Sequence, residues 1–142
     1  MQEIEMLKKF ISAMLEWETT LGKQKKTTDY RENRELRCNI LASKGNELLD
    51  IFTNHLTSRA LRTIAKARLD TLVTARPAEY SQKVLENTVE TGDNATLICT
   101  QNEKCILPYR RYTLVRRDGE PRIDRVEGRI SSDEEWHRIH SI

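Results

Sequence analysis

Two side chains in the second half of the chain, Asp124 and Tyr112, are of the right types to do chemistry together. An aspartate beside an apolar residue, as Asp124 is beside Ile123, gains a raised pKa if it points into a dry pocket, and a general base needs that shift. Tyr112, on a neighbouring strand, would then donate to a developing oxyanion. The competing reading gives Asp124 a structural hydrogen bond at a sheet edge and Tyr112 a place in the core. That reading is preferred, because no second acid or base is fixed by spacing. The other reactive types form no pattern. His137 and His140 lie three apart in a segment that reads as a strand, so their side chains fall on opposite faces and do not share a metal. The cysteines match no zinc spacing, and their odd number, three, agrees with reduced thiols. Cys99 and Cys105 flank a polar loop and could face each other across a hairpin, although a disulfide there needs an exported context. There is no Walker loop, dinucleotide fingerprint, Gly-x-Ser-x-Gly or His-Glu-x-x-His. No cofactor, metal or catalytic residue is expected.

The elements that would position these residues change character near Arg76. Before it the spacing is helical. Leu7, Phe10, Ile11, Met14, Trp17 and Leu21 recur at three- and four-residue steps, and Gly22 is placed as a stop. Asp29 with Glu32 resembles a capping box for a second helix running towards His55. That helix would bury Leu36, Ile40, Leu41, Leu48, Leu49, Phe52 and Leu56, with Gly45 at a kink or close contact. Thr57 is expected to cap a third helix from Ser58 to about Val73, with Leu61, Ile64, Ala65, Leu69 and Leu72 inward and Arg59, Arg62, Lys66 and Arg68 outward. Arg76-Pro77 ends this part, because the residue before proline is pushed out of the α region.

After Pro77 the pattern is that of strands: Lys83 to Val89, Ala95 to Thr100, Cys105 to Val115 with an irregularity at Pro108, and a further strand running to about Ile130. Asp118-Gly119 is a strong signal for a tight hairpin, since a primed turn needs positive φ at both central residues. Glu135 to Ile142 alternates as a last strand. Helices followed by consecutive hairpins make an α+β fold of one domain, 1–142, with a helical half at 1–75 and an antiparallel sheet half at 76–142.

Composition narrows the partners. Twenty-four basic side chains against 22 acidic ones give a net charge of +2, too balanced to argue for direct nucleic-acid binding. No run of about 18 apolar residues exists to span a bilayer. The start, Met1-Gln2-Glu3-Ile4-Glu5, carries acids where a signal peptide carries bases, so the cytoplasm is the expected compartment.

A set of short motifs in order then points to a family: Leu56-Thr57 closing a helix, Pro77-Ala78-Glu79-Tyr80, Arg111-Tyr112-Thr113-Leu114, Arg122-Ile123-Asp124 and a terminal strand with Trp136. Over roughly Leu48 to Ile142 the chain resembles the nuclear transport factor 2-like immunity proteins of bacterial polymorphic toxin systems. Pro121 stands where that family often has a tryptophan, two residues before the Ile of Ile-Asp. The resemblance implies a cone of helices on a strongly curved, mostly antiparallel sheet. It also implies a cytoplasmic antidote that binds the catalytic domain of a cognate toxin encoded next to it and blocks the active site. The acids of the sheet half, Asp118, Glu120, Asp124, Glu127, Asp133, Glu134 and Glu135, are the candidates for partner contact, since a basic toxin would favour a local acidic patch. Two other functions fit the same fold: a small ketosteroid isomerase-like enzyme using Asp124 or Tyr112, and a non-catalytic ligand-binding or adaptor domain. The oligomeric state is open.

Overall fold

In the computed structural model, which describes all 142 residues, five helices precede five strands. The helices are α1 Gln2–Lys25, α2 Thr28–Glu32, α3 Arg34–His55, α4 Ser58–Arg62 and α5 Lys66–Thr71. The strands are β1 Lys83–Thr91, β2 Thr96–Gln101, β3 Tyr109–Arg117, β4 Glu120–Arg129 and β5 His137–Arg138. The strands form one antiparallel sheet in sequence order, with the helices packed on one face.

The apolar stripe of α1 is buried along its whole length, from Leu7 to Leu21. Gly22 does not stop the helix. The chain continues to Lys25, with Glu3 and Glu5 in the first turn and Lys23 and Lys25 in the last, charges that complement the helix dipole. The Lys25 ammonium donates to the Leu72 carbonyl at 2.8 Å, which holds that last turn against the end of α5. The expected capping box at Asp29 is replaced by two separate caps. Thr27 accepts from the Tyr30 N–H to start α2, and Asn33 accepts from the Leu36 N–H to start α3. Only Leu48 and Phe52 of α3 are fully buried, followed by Leu56 at its C-cap. Leu36 and Leu49 are 36% and 44% exposed, contrary to expectation, and Ile40 and Leu41 are half-buried. The apolar residues of α3 are spread around the helix, so one packing face cannot bury them all.

Thr57 does cap α4, through the Ala60 N–H. The expected long third helix breaks between Arg62 and Lys66, and Leu72 ends α5 in the left-handed region at φ 50°. Helix therefore stops at Thr71, before Arg76-Pro77. Gly45 sits where α3 passes Leu72: a Cβ there would lie 3.9 Å from Leu72 Cδ1.

In the sheet, Asp118 and Gly119 take φ of 55° and 81°, the primed turn their sequence predicts. Ile98, Tyr112, Leu114, Ile123 and Val126 join the helices in the core. Two irregularities bend the strands. Glu86–Val89 interrupt the β1/β2 register, and Asp124 is an extra residue on β4, between the pairs Leu114–Ile123 and Thr113–Arg125. β3 begins after Pro108. Pro121 is accommodated because β5 pairs only with Glu127 and Gly128 and the Leu56–Thr57 segment bridges β4 only at Ile123, so Pro121 itself pairs with β3 alone.

The expected final strand shrinks to two residues. After His137–Arg138 the chain leaves the sheet, and buried Ile142 donates its N–H to the Ile64 carbonyl at 2.9 Å. Gly128 makes room for this departure: a Cβ there would lie 2.9 Å from Ile139 Cδ1 and 3.3 Å from Leu107 Cδ1. Both are the far ends of flexible side chains that can rotate aside, so Gly128→Ala is expected to lower stability by less than about 1 kcal/mol. A fall in the urea midpoint equivalent to about 2 kcal/mol or more would contradict this packing.

Candidate functional site

Arg110 lies on the inward face of β3, two residues before Tyr112, and is 7% exposed. Facing it from the helices is Arg68, 3% exposed, a residue expected on the outward side of its helix. Both guanidiniums converge on Glu79. Arg110 Nη2 donates to Oε1 at 2.6 Å, and Arg68 Nη2 donates to Oε2. Arg68 also donates to the carbonyls of Ile142 at 2.8 Å and Val73 at 3.0 Å. Burial pushes the Glu79 carboxyl up, but Arg110 and Arg68 more than offset this, and its pKa lies below the usual carboxylate range.

The neighbouring residues close the interior. The Tyr80 ring lies 5.6 Å and 5.9 Å from the guanidinium carbons of Arg68 and Arg110, and packs edge-on against Phe10 at 5.9 Å. Glu18, 2% exposed, accepts from the backbone N–H groups of Ala75 and Tyr80 at 3.1 Å and 3.0 Å. The Tyr112 hydroxyl donates to Gln82 Oε1 at 2.7 Å, and Thr100 Oγ1 donates to the same oxygen at 2.9 Å. Burial raises the pKa of both Tyr80 and Tyr112, so both phenols stay protonated near neutral pH. This network joins α1, α5, the segment before β1, and β3 into one buried polar knot. Most of its groups are engaged with each other, while the Tyr80 hydroxyl and Arg110 Nη1 are buried without a partner in the chain. A cleft of about 420 Å³ reaches its margin at Glu18, Lys25 and Ala78, but includes neither Tyr112 nor Asp124.

Asp124 is turned elsewhere by the extra residue in β4. Its Oδ1 accepts from Thr57 Oγ1 at 2.8 Å, and Oδ2 pairs with Arg59. The surrounding cleft, about 280 Å³, is lined by Thr57, Ser58, Arg59, Arg117 and Asp124, and is polar throughout. The structure therefore does not bring Asp124 and Tyr112 to one dry pocket. Asp124→Asn keeps an acceptor for Thr57 and loses only a half-exposed ion pair. It is expected to change stability by less than about 1 kcal/mol and to leave any protective function intact. Loss of protection in a folded Asp124→Asn protein would show that this side chain does more than pair with Thr57 and Arg59.

The seven acids do not form one patch. Asp118 and Glu120 are exposed at the β3–β4 turn, and Glu120 lies 4.0 Å from Arg122. Asp133, Glu134 and Glu135 lie beyond the other end of β4, about 30 Å along a ten-residue strand. Glu127 accepts from Arg111 at 3.1 Å, and Glu134 accepts from the Ile130 N–H at 2.9 Å and contacts His137 Nε2 at the same distance. The Ile130 N–H, with His137, holds the Glu134 carboxyl below its ordinary pKa. Asp124 and Glu127 are thus committed within the fold. No group of three His, Cys, Asp or Glu side chains could hold a metal. The cysteines are free thiols, and Asn102 Nδ2 lies 3.1 Å from Cys105 Sγ.

What the sequence reading passed over lies on the sheet face away from the helices. The pairing places Arg111 beside Glu127 and Glu127 beside Arg138, with Arg125 and Arg129 two residues to either side of Glu127. Trp136 lies over this face, its ring centroid 4.0 Å from the Arg129 guanidinium carbon and 4.8 Å from that of Arg111. Period-two spacing of Arg125, Glu127 and Arg129 was the signal available for it.

Compared with known families, the chain matches the model described as NTF2 fold immunity protein over residues 2–140, nearly its full length. Neither the curated proteins nor the solved structures give a match.

Proposed function

We propose a function from one premise, that the chain belongs to the NTF2 fold immunity protein family: it binds a cognate bacterial toxin domain and covers that domain's active site. The family carries the immunity role, and the α+β fold of helices on an antiparallel sheet agrees with it. The observation that favours binding over chemistry is the closed interior. Tyr80, Tyr112 and the Arg68–Glu79–Arg110 cluster fill the space between helices and sheet that a substrate would need. A toxin encoded next to this protein, acting on a cytoplasmic target, is the partner we assign. No helix is long and apolar enough to cross a membrane. The free acids at the two ends of β4, Asp118 and Glu120 on one side and Asp133 and Glu135 on the other, would sit at the rim of the contact.

Co-expression tests the reading. Cells producing the neighbouring toxin are expected to grow when this protein is present and to die when it is not. Equal death in both would refute it.

A further inference from the structure

We infer that the sheet face turned away from the helices is the docking surface, and that it takes an acidic surface of the toxin domain; this rests on the immunity reading above. Around Trp136 the face carries Arg111, Arg125, Arg129 and Arg138, with Glu127 the one carboxylate in register among them. In a chain whose charges nearly cancel, that is a local excess. Arg111 is diagonal to both Arg125 and Arg129 across the strand pair, at about 7–8 Å, where like charges repel. Glu127 relieves only part of this, through its two contacts with Arg111 at 3.0 and 3.1 Å. Of the four arginines only Arg111 has an ion pair within the chain, and Arg129 Nη1 donates to the Glu134 carbonyl at 3.3 Å. A ring of carboxylates on a partner would supply the missing charge.

Trp136 gives the surface its centre. It lies half-buried on the solvent side of the sheet, held by two guanidiniums rather than packed among the core residues. Tryptophan and arginine are the types that anchor protein interfaces, and stacking restricts these side chains before binding, which lowers the entropy lost on contact. Two other occupants fit less well. A second copy of this chain would bring arginines against arginines. A nucleic acid would meet Glu127 in the middle of the row, and a tryptophan whose π-face is already engaged.

The test is titration calorimetry of the purified protein with the catalytically disabled toxin domain encoded beside it. The wild type is expected to bind. The double variant Arg125→Glu with Arg129→Glu should bind about 100-fold more weakly, and Arg138→Glu, at an exposed side chain, about 10-fold more weakly. Lys23→Glu with Lys26→Glu, on the helical side, should bind as the wild type does. Added salt should slow association of the wild type more than of the double variant. Circular dichroism melting checks that the double variant folds, and Arg138→Glu carries the test if it does not. Wild-type binding with unchanged affinity in folded face variants would overturn the surface while leaving the immunity reading in place. Absence of wild-type binding would overturn both. A dimer in sedimentation that the face variants disperse would assign the surface to a second copy and overturn the inference. So would a labelled single-stranded oligonucleotide that the wild type binds and the variants release.

Discussion

Replacing Glu79 with glutamine is expected to destabilise the protein by about 3–5 kcal/mol, because removing one member of a buried ion cluster strands the others. Here two guanidiniums, 3% and 7% exposed by residue, would face a neutral amide. For a chain of this length each kcal/mol moves the melting temperature by about 3 °C, so a fall of about 10 °C is expected. The two arginines should respond differently. The Arg110 guanidinium makes one hydrogen bond within the chain, to Glu79, and its Nη1 is unpartnered. Arg110→Met should therefore recover part of the loss when combined with Glu79→Gln. Arg68→Met should not, since the carbonyls of Ile142 and Val73 would lose their donor.

Acid should act on the same cluster. The folded pKa of Glu79 lies below its ordinary 4.5. The stabilisation is then fully present above about pH 4.5 and is lost as pH falls through the folded value, where the unfolded chain binds the proton more readily. Stability measured against pH should therefore fall more steeply below pH 4.5 in the wild type than in Glu79→Gln. His55 contributes in a separate window. Burial lowers its pKa from 6.5, so its share is lost as pH falls below that value, before Glu79 titrates. Parallel acid profiles for wild type and Glu79→Gln would contradict the assignment.

Glu18→Ala carries the second large effect. This carboxylate accepts two backbone N–H groups from the segment that leads into β1, and it is 2% exposed. Hydrogen bonds to a charged group contribute about 1.5–3 kcal/mol each, so a loss of about 3 kcal/mol or more is expected. The consequence should also be local. Amide hydrogens of Ala75 and Tyr80 should exchange faster in Glu18→Ala, while those of the β3–β4 pair keep their protection. Uniform loss of protection would show that Glu18 supports the whole fold rather than this segment.

The fold was legible where one local rule decides it. Asp118-Gly119 specifies its turn, and the α1 stripe specifies its buried face. Arg68 shows the opposite case. It lies four residues after Ile64, three after Ala65 and four before Leu72, so helical spacing placed it inward. Its charge argued outward, and only the distant Glu79, Ile142 and Val73 reveal why it can be buried. The capping residues were ambiguous because Thr27, Asp29 and Asn33 all accept hydrogen bonds readily, and the backbone chose Thr27 and Asn33. The acids appeared grouped because several are close in sequence, yet β4 separates them into two ends. The Arg111–Trp136–Arg129 stack depends on cross-strand register, which the bulge at Asp124 shifts by one residue.

Inhibition of the purified toxin domain tests the central claim most directly. With the toxin's own substrate present, activity should fall in proportion to added protein and reach zero at a fixed stoichiometric equivalence. Full toxin activity in the presence of excess folded protein, or inactivation by far less than one equivalent, would contradict it, the latter because only a catalyst acts below stoichiometry.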